Sequence, residues 1–410
     1  MNPFKPNSSN RREFLKGLGL LAAGSGLAGG LSRLSGAETA ELPFANGVRE
    51  LVKFPGKRPL LVLSTRPPQL ETPFSIFNES LLTPNDAFFV RYHLSDIPTR
   101  VDPASFRLSV AGAVSTPLEL RLDELKRIAK SVDLVAVNQC SGNSRGFFTP
   151  RVNGGQLGNG AMGCARWTGV PLRAVLDAAG VQAGARQVSF DGLDRGPIDT
   201  TPDFVKALDI DHARDGEVML AWGMNGEELP MLNGYPLRLI VPGYYGTYWV
   251  KHVNRIEVLK SVYEGFWMKS AYRIPDTPGA NIEPGSAPQS TIPISRFTIR
   301  SFITSLADNA TVPAGHETTV RGIAFDSGRG IRAVEFSSDG GRSWSEAHLG
   351  ASLGRFAFRE WKATFAPGRG RHVLMSRASN SAGEIQPLVA GWNPAGYMRN
   401  VVETVNILAT

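Results

Sequence analysis

The stretch Leu134-Val135-Ala136-Val137-Asn138-Gln139-Cys140-Ser141-Gly142-Asn143-Ser144-Arg145 changes character half-way along. Four apolar residues predict a buried strand. The Asn/Ser/Gly run behind them is turn chemistry, because such side chains bond to their own backbone and tolerate left-handed dihedrals. Cys140 is therefore expected at the mouth of a strand, five residues before Arg145, on a loop that a bulky ligand can approach closely. A nearby cation favours thiolate, and thiolate is a soft metal ligand. The residues alone leave three readings of Cys140 on equal terms: a disulfide with Cys164, a buried free thiol, or a metal ligand or nucleophile. No Cys-x-x-Cys pair and no Cys-x-x-Cys-His occurs, so neither a paired-cysteine zinc site nor a haem is expected in this chain.

Two other segments carry the same kind of signal. In Phe88-Phe89-Val90-Arg91-Tyr92-His93-Leu94 the alternation predicts a strand with Arg91 and His93 on one face and Val90, Tyr92 and Leu94 on the other. Two basic groups pointing the same way need an anion or a partner if that face is buried. Leu237-Arg238-Leu239-Ile240-Val241 is a further apolar run, closed by Pro242-Gly243-Tyr244-Tyr245-Gly246. Helical patterns at 122–130 and 171–179 make the region 41–285 a mixed α+β domain. A Pro/Gly/Ser-rich linker over 275–293 follows. Beyond it, short alternating runs at 297–303, 318–325, 332–337, 359–365 and 372–377 are separated by turns such as Asp339-Gly340-Gly341. This spacing predicts an immunoglobulin-like β-sandwich over 286–410.

Residues 1–40 read differently: Arg11-Arg12-Glu13-Phe14-Leu15-Lys16 precedes a mild, glycine-rich apolar run and then small residues, the pattern of a twin-arginine export signal. Such a signal implies export of a folded protein to the periplasm, a route commonly serving cofactor-loaded proteins. Apolar and charged fractions of 42% and 20% argue against a fibrous, disordered or integral membrane protein, and no membrane span is expected. The formal charge is +7, of which the first forty residues hold five basic and two acidic side chains, leaving the remainder near +4. That excess is compatible with a small anionic substrate and too slight to suggest nucleic acid.

Phe-Phe-Val-Arg-Tyr-His at 88–93, Gln-Cys-Ser-Gly-Asn-Ser-Arg at 139–145 and Asn-Gly-Tyr-Pro-Leu-Arg-Leu-Ile-Val-Pro-Gly at 233–243 resemble three signatures of the sulfite oxidase family, in that family's order. The likeness runs from about residue 70 to the C-terminus and lies closest to the family's bacterial periplasmic sulfite dehydrogenases. It implies a molybdenum atom held by the thiolate of Cys140 and by the dithiolene of a molybdopterin. Arg91 and Arg145 would surround the anion, His93 would contact the pterin, Tyr272 would reach the substrate and Trp167 would wall the pocket. Asn233, Arg238, Trp249, Val250 and Lys251 match positions that bind the pterin and its phosphate; many relatives carry His where this chain has Asn233. Arg399 is a further residue that could enter the pocket from the second domain. Cys164 would be structural. Ordinary readings stand beside these: Tyr272 a half-buried tyrosine, Trp167 a core residue, Lys251 a solvated charge.

The implied reaction is oxidation of sulfite to sulfate, with electrons leaving one at a time to a c-type cytochrome or a haem subunit, in a homodimer or in a heterodimer with that subunit. Reduction of an S-oxide or of nitrate on the same scaffold is the alternative reaction, and a non-catalytic exported binding protein the alternative class.

Overall fold

The computed structural model describes residues 39–41, 48–65 and 67–410. The paired arginines and apolar run at the N-terminus lie outside the described residues. Thr39–Glu41 pairs antiparallel with Val48–Val52, so Thr39 and Ala40, grouped with the export signal by the sequence reading, belong to a strand. That strand opens a five-stranded sheet continuing through Leu60–Thr65 and Pro68–Glu71 to Val90–Arg91.

The strand expected over 88–94 is only two residues long, Val90–Arg91. Its partner explains this: Tyr92 still donates to the Pro68 carbonyl at 3.3 Å, but Pro68 has no N–H to return and the ladder stops. The alternation survives the loss of pairing. Val90, Tyr92 and Leu94 are buried while Arg91 and His93 are half-buried.

A second sheet orders Lys206–Asp209, Gln187–Asp191, Arg255–Leu259, Leu108–Gly112 and Leu118–Leu120, with Arg255–Leu259 and Leu108–Gly112 parallel. The sheet that matters most for the cysteine orders Glu227–Glu228, Met219–Met224, Met162–Pro171 and Val132–Gln139, with Arg238–Ile240 paired to Met219–Met224. Both helical patterns form, as Leu122–Ile128 and Leu172–Ala179. The second buries Leu172, Val175, Leu176 and Ala179, the i, i+3, i+4, i+7 stripe of a helix lying on a core, and ends at Gly180 in the left-handed region.

In the C-terminal region two sheets face each other. One orders Arg300–Ile303, Thr318–Phe325, Arg359–Phe365 and His348–Leu349; the other Ala310–Val312, Thr404–Ala409, Gly370–Asn380, Ile331–Ser337 and Ser345–Glu346. All five expected runs form strands, Thr318–Phe325 and Arg359–Phe365 with the expected bounds, whereas Thr404–Ala409 gave no separate signal. Trp361, fully buried, packs between the sheets with Val320, Phe336, Leu374 and Ile407. This core is separate from that of the first region, but the two regions are bound together: Phe74 meets Phe302 at 5.5 Å, Phe77 meets Phe358 at 5.9 Å, and Val137 donates to the Phe356 carbonyl at 2.9 Å. Among the described residues no helix is long and apolar enough to cross a membrane.

Removing the Trp361 ring leaves a void that the rigid sheets cannot close. Trp361→Ala is expected to lower the unfolding free energy by about 3–5 kcal/mol, read as a fall in the urea midpoint at unchanged slope.

Candidate active site

Cys140 follows directly on the Val132–Gln139 strand and lines a cleft. Its N–H donates to Ala161 O at 2.9 Å, and its carbonyl accepts from Asn143 N at 3.0 Å, which folds the loop into a turn. Asn143 Oδ1 accepts from Ala161 N at 3.0 Å, and Ser144 takes a left-handed φ of 69°. Both cysteines are free and buried, which removes the disulfide reading. Cys164 lies opposite Val137 in the neighbouring strand, and burial pushes its thiol up to about 12, as befits a structural group.

A carboxylate that the sequence did not mark holds the opposite side of this loop. Glu71 accepts from Gly160 N at 2.6 Å and Gly158 N at 3.0 Å, and burial raises it to about 7. A Cβ at Gly160 would stand 2.0 Å from Thr72 O, so only glycine allows this approach.

Arg91, His93, Asn233, Arg238, Trp249, Lys251 and Tyr272 line the cleft with Cys140. Arg91 holds one terminal nitrogen, Nη1, buried and without a partner. His93 stacks on Phe204 at 3.7 Å and its Nε2 is hydrogen-bonded to the Tyr272 hydroxyl. Burial, then Arg91 and Lys251, hold the imidazole well below its usual pKa, so His93 is neutral. Burial raises the Tyr272 phenol, with Arg91 opposing. Lys251 donates to the Arg91 carbonyl and lies 3.9 Å from the centre of the Tyr92 ring; burial and then Arg238 bring it down to about 7. Arg238 donates to Asn233 O at 3.0 Å but keeps Nε unpartnered, and burial brings it to about 10. Asn233 spends its amide on Lys57 (2.6 Å) and the Phe89 carbonyl (3.2 Å).

Four residues from the sequence reading stand elsewhere. Trp167 does not wall the cleft: it is fully buried, donates to Ala136 O at 3.1 Å and lies under the Arg238 guanidinium at 5.3 Å. Val250 is core, its carbonyl accepting from Leu239 N at 2.9 Å. Arg145 is not a lining residue; its guanidinium sits 5.0 Å from the Tyr397 ring centre, and Tyr397 stacks on Tyr272 at 5.5 Å. Arg399 turns to Glu403 and lies over Phe147 rather than entering the cleft. Conversely, the cleft takes in Asn138, Ser141, Asp194 and Thr247, none of which the sequence reading assigned a role. Asn138 and Ser141 flank the cysteine and were legible as its neighbours; Asp194 and Thr247 carried no local signal.

Asn138 Oδ1 and Nδ2, Ser141 Oγ, Thr247 Oγ1 and Arg238 Nε are all buried and unpartnered on this one surface. Buried polar atoms are costly unless bonded, so the cleft is built for a ligand rich in donors and acceptors. With a thiol and several cations on the same surface, the set suits a soft metal carried on a polar, anionic organic group.

The oxidoreductase molybdopterin binding domain family matches residues 94–267, and the Mo-co oxidoreductase dimerisation domain family matches residues 291–409. Sulfite oxidase of Gallus gallus is 33% identical over 381 residues, covering 88% of this chain and 79% of that protein. The chain belongs to the sulfite oxidase family. Sulfite oxidase of Arabidopsis thaliana is 30% identical over 385 residues, covering 87% of the chain and 96% of that protein. The mitochondrial sulfite oxidase of Homo sapiens is 33% identical over 372 residues, 86% of the chain but 66% of the human protein, just under two thirds of its length. Among solved structures, the sulfane dehydrogenase SoxCD from Paracoccus pantotrophus shares the fold, with a TM-score of 0.71 and 23% identity over 93% of this chain and 92% of its own. In a member of the sulfite oxidase family the unpartnered atoms of this cleft fit the molybdenum-molybdopterin group that the family carries.

If those cations await an anionic group, Arg238→Met should separate folding from loading. The cofactor-free protein is expected to be as stable as the parent or more so, by up to about 1–4 kcal/mol, because a buried unpaired charge is replaced by an apolar chain. Molybdenum per chain should fall sharply, and thermal melting of cofactor-free protein with metal analysis of loaded protein checks both halves.

Proposed function

We propose that the protein is a sulfite dehydrogenase: it oxidises sulfite to sulfate and passes two electrons, singly, to a c-type cytochrome. The observation that carries this reading is the buried, unpartnered Nη1 of Arg91 in the cleft that also holds Cys140. A fixed guanidinium with free donors is suited to an oxyanion, and the sulfite oxidases named among the relatives supply the choice of anion.

In this reading Cys140 holds the metal through Sγ, while Asn138, Ser141, Thr247, Arg238 and Lys251 hold the pterin and its phosphate. When bound, the molybdenum-pterin group supplies the oxygen-atom transfer and two-electron chemistry that side chains lack. Overall, sulfite and water give sulfate, two protons and two electrons. Arg91 draws the dianion in and keeps donors aimed at its oxygens, and the charge of Arg145 supports it from behind Tyr397. Neutral His93 orients the Tyr272 hydroxyl, leaving that hydroxyl to bond the substrate. Phe204 and Trp267, packed around His93, exclude water from that side.

Electron exit to a separate carrier is supported by the cysteines, since Cys140 and Cys164 form no haem-attachment pair. The match of residues 291–409 to a dimerisation domain supports a homodimer, with a haem subunit as the other possible partner. The paired Arg11-Arg12 supports export by the twin-arginine route to the periplasm, and the two-domain division at about residue 285 completes the proposal.

The first test is molybdenum per chain in protein expressed with its N-terminal segment, followed by sulfite-dependent cytochrome c reduction on the same sample. About one metal per chain with activity is expected; metal without sulfite turnover would sink the choice of substrate. Cys140→Ser should abolish turnover, since a hydroxyl replaces the soft donor, and near-parental activity would refute the ligand assignment. For Arg91→Gln the loss of a charged hydrogen bond, about 1.5–3 kcal/mol, corresponds to a fall of about tenfold to a hundredfold in kcat/KM for sulfite.

A further inference from the structure

Arg300 opens the first strand of the sandwich and its side chain is 0% exposed, yet it reaches out of that region to the cysteine loop. Nη1 donates to Ser144 Oγ at 2.8 Å, Nη2 donates to Glu403 Oε1 at 3.1 Å, and the guanidinium lies 4.3 Å from the centre of the Phe302 ring. The Ser144 hydroxyl in turn donates to Asn159 Oδ1 at 2.5 Å, so both its donor and acceptor sides are fixed. Ser144 stands in the left-handed region immediately before Arg145. Its rotation is thus coupled to the direction in which Arg145 leaves the loop.

Other parts of the second region converge on the same few residues. Ala395 O accepts from Arg145 Nε at 3.1 Å, Tyr397 presents its ring to the Arg145 guanidinium, and Arg399 lies over Phe147 while sharing Glu403 with Arg300. Three glycines make room: a Cβ on Gly142, Gly154 or Gly396 would come within 2.9 Å of an Arg145 side-chain atom. Two arginines sharing one carboxylate, with Arg300 Nε unpartnered, is a poor way to stabilise a fold, because a buried ion pair is often no better than apolar packing of the same volume. Its geometric effect on Ser144 is what distinguishes it from apolar packing.

We propose that Arg300 is a positioning residue through which the second domain sets the Cys140–Arg145 loop, and with it the anion-binding geometry of the cleft. The inference rests on the sulfite dehydrogenase reading for the roles of Cys140 and Arg145. Arg300 touches neither substrate nor cofactor; it acts through Ser144.

The test uses full-length, molybdenum-loaded protein and three readouts: metal content with melting temperature, the sulfate dissociation constant from tryptophan fluorescence, and the sulfite KM and kcat. Arg300→Met should keep metal content and melting temperature close to the parent, while sulfate dissociation constant and sulfite KM both rise about tenfold and kcat stays within about threefold. Arg300→Lys, able to reach Ser144 with a single ammonium, should recover part of the affinity. Unchanged anion constants in Arg300→Met overturn the proposal, as does a joint loss of metal, melting temperature and kcat, the mark of a merely structural residue. Should Arg300→Met fail to fold, Ser144→Ala carries the same expectation and the same refutation. Failure of the sulfite reading is distinguishable: a parent that binds sulfate but does not turn over sulfite sinks the substrate and leaves the sulfate arm deciding on Arg300, whereas a parent that binds neither anion sinks both.

Discussion

The interior around the cleft holds more positive charge than it can neutralise itself. Arg91, Arg238 and Lys251 stand on its walls with Asp194 as the one lining carboxylate among the described residues. Lys57 and Lys206 are buried just behind, the first bonded to Asn233 and the second to the Trp267 carbonyl at 2.7 Å beneath the Tyr272 ring. Burial answers by favouring neutral forms, bringing Lys57, Lys206 and Lys251 each to about 7 and raising Asp194 to about 6. An anionic ligand reverses that balance for the groups it touches, since opposite charge favours the protonated lysine. The cleft is thus a place where binding supplies what folding leaves short, and the unpartnered atoms of Asn138, Ser141 and Thr247 say the same in uncharged terms.

Such a cleft needs walls that do not relax onto it. The cysteine loop cannot collapse, because its partner segment is clamped at Gly158 and Gly160 by Glu71, and the contact of Gly160 with Thr72 O leaves no slack for a side chain. On the other side the Val132–Gln139 strand is tied to Phe356 of the sandwich. His93 is held by stacking on Phe204 and by its bond to Tyr272, which fix the orientation of the imidazole, while burial and then Arg91 favour its neutral form. Preorganisation of this kind is what lets a few donors discriminate among anions of similar charge.

What could be read from the sequence follows the range of the interactions involved. Cys140 was legible because an apolar run and a turn lie next to each other in the chain. Arg91 and His93 were legible because side chains alternate even where hydrogen-bonded pairing ends after two residues. Trp167 was misplaced for a related reason: its identity as a large aromatic near the cysteine strand is local, but whether it faces the cleft depends on Arg238, seventy-one positions away, lying over it. Asp194, Lys57 and Thr247 were invisible because nothing near them in sequence differs from a surface loop or a turn. Thr404–Ala409 was missed because it closes its sheet after a long irregular segment and pairs with both Gly370–Asn380 and Ala310–Val312.

The division into a cofactor-type domain and a sandwich is therefore clearer in sequence than in the site itself. Tyr272, which lines the cleft, stacks on Tyr397; Arg145 donates to the Ala395 carbonyl; Ser144 accepts from the Arg300 guanidinium. Each contact joins a residue of the first region to one of the second, and each lies one layer behind the cleft surface. A guanidinium such as that of Arg145 has five donors and a long flexible stem, so one contact alone does not fix it. Gly155 O of the first region accepts from its Nη1 at 3.4 Å, and the segment between the last two strands of the sandwich adds the shorter acceptor, Ala395 O at 3.1 Å, and the ring face of Tyr397.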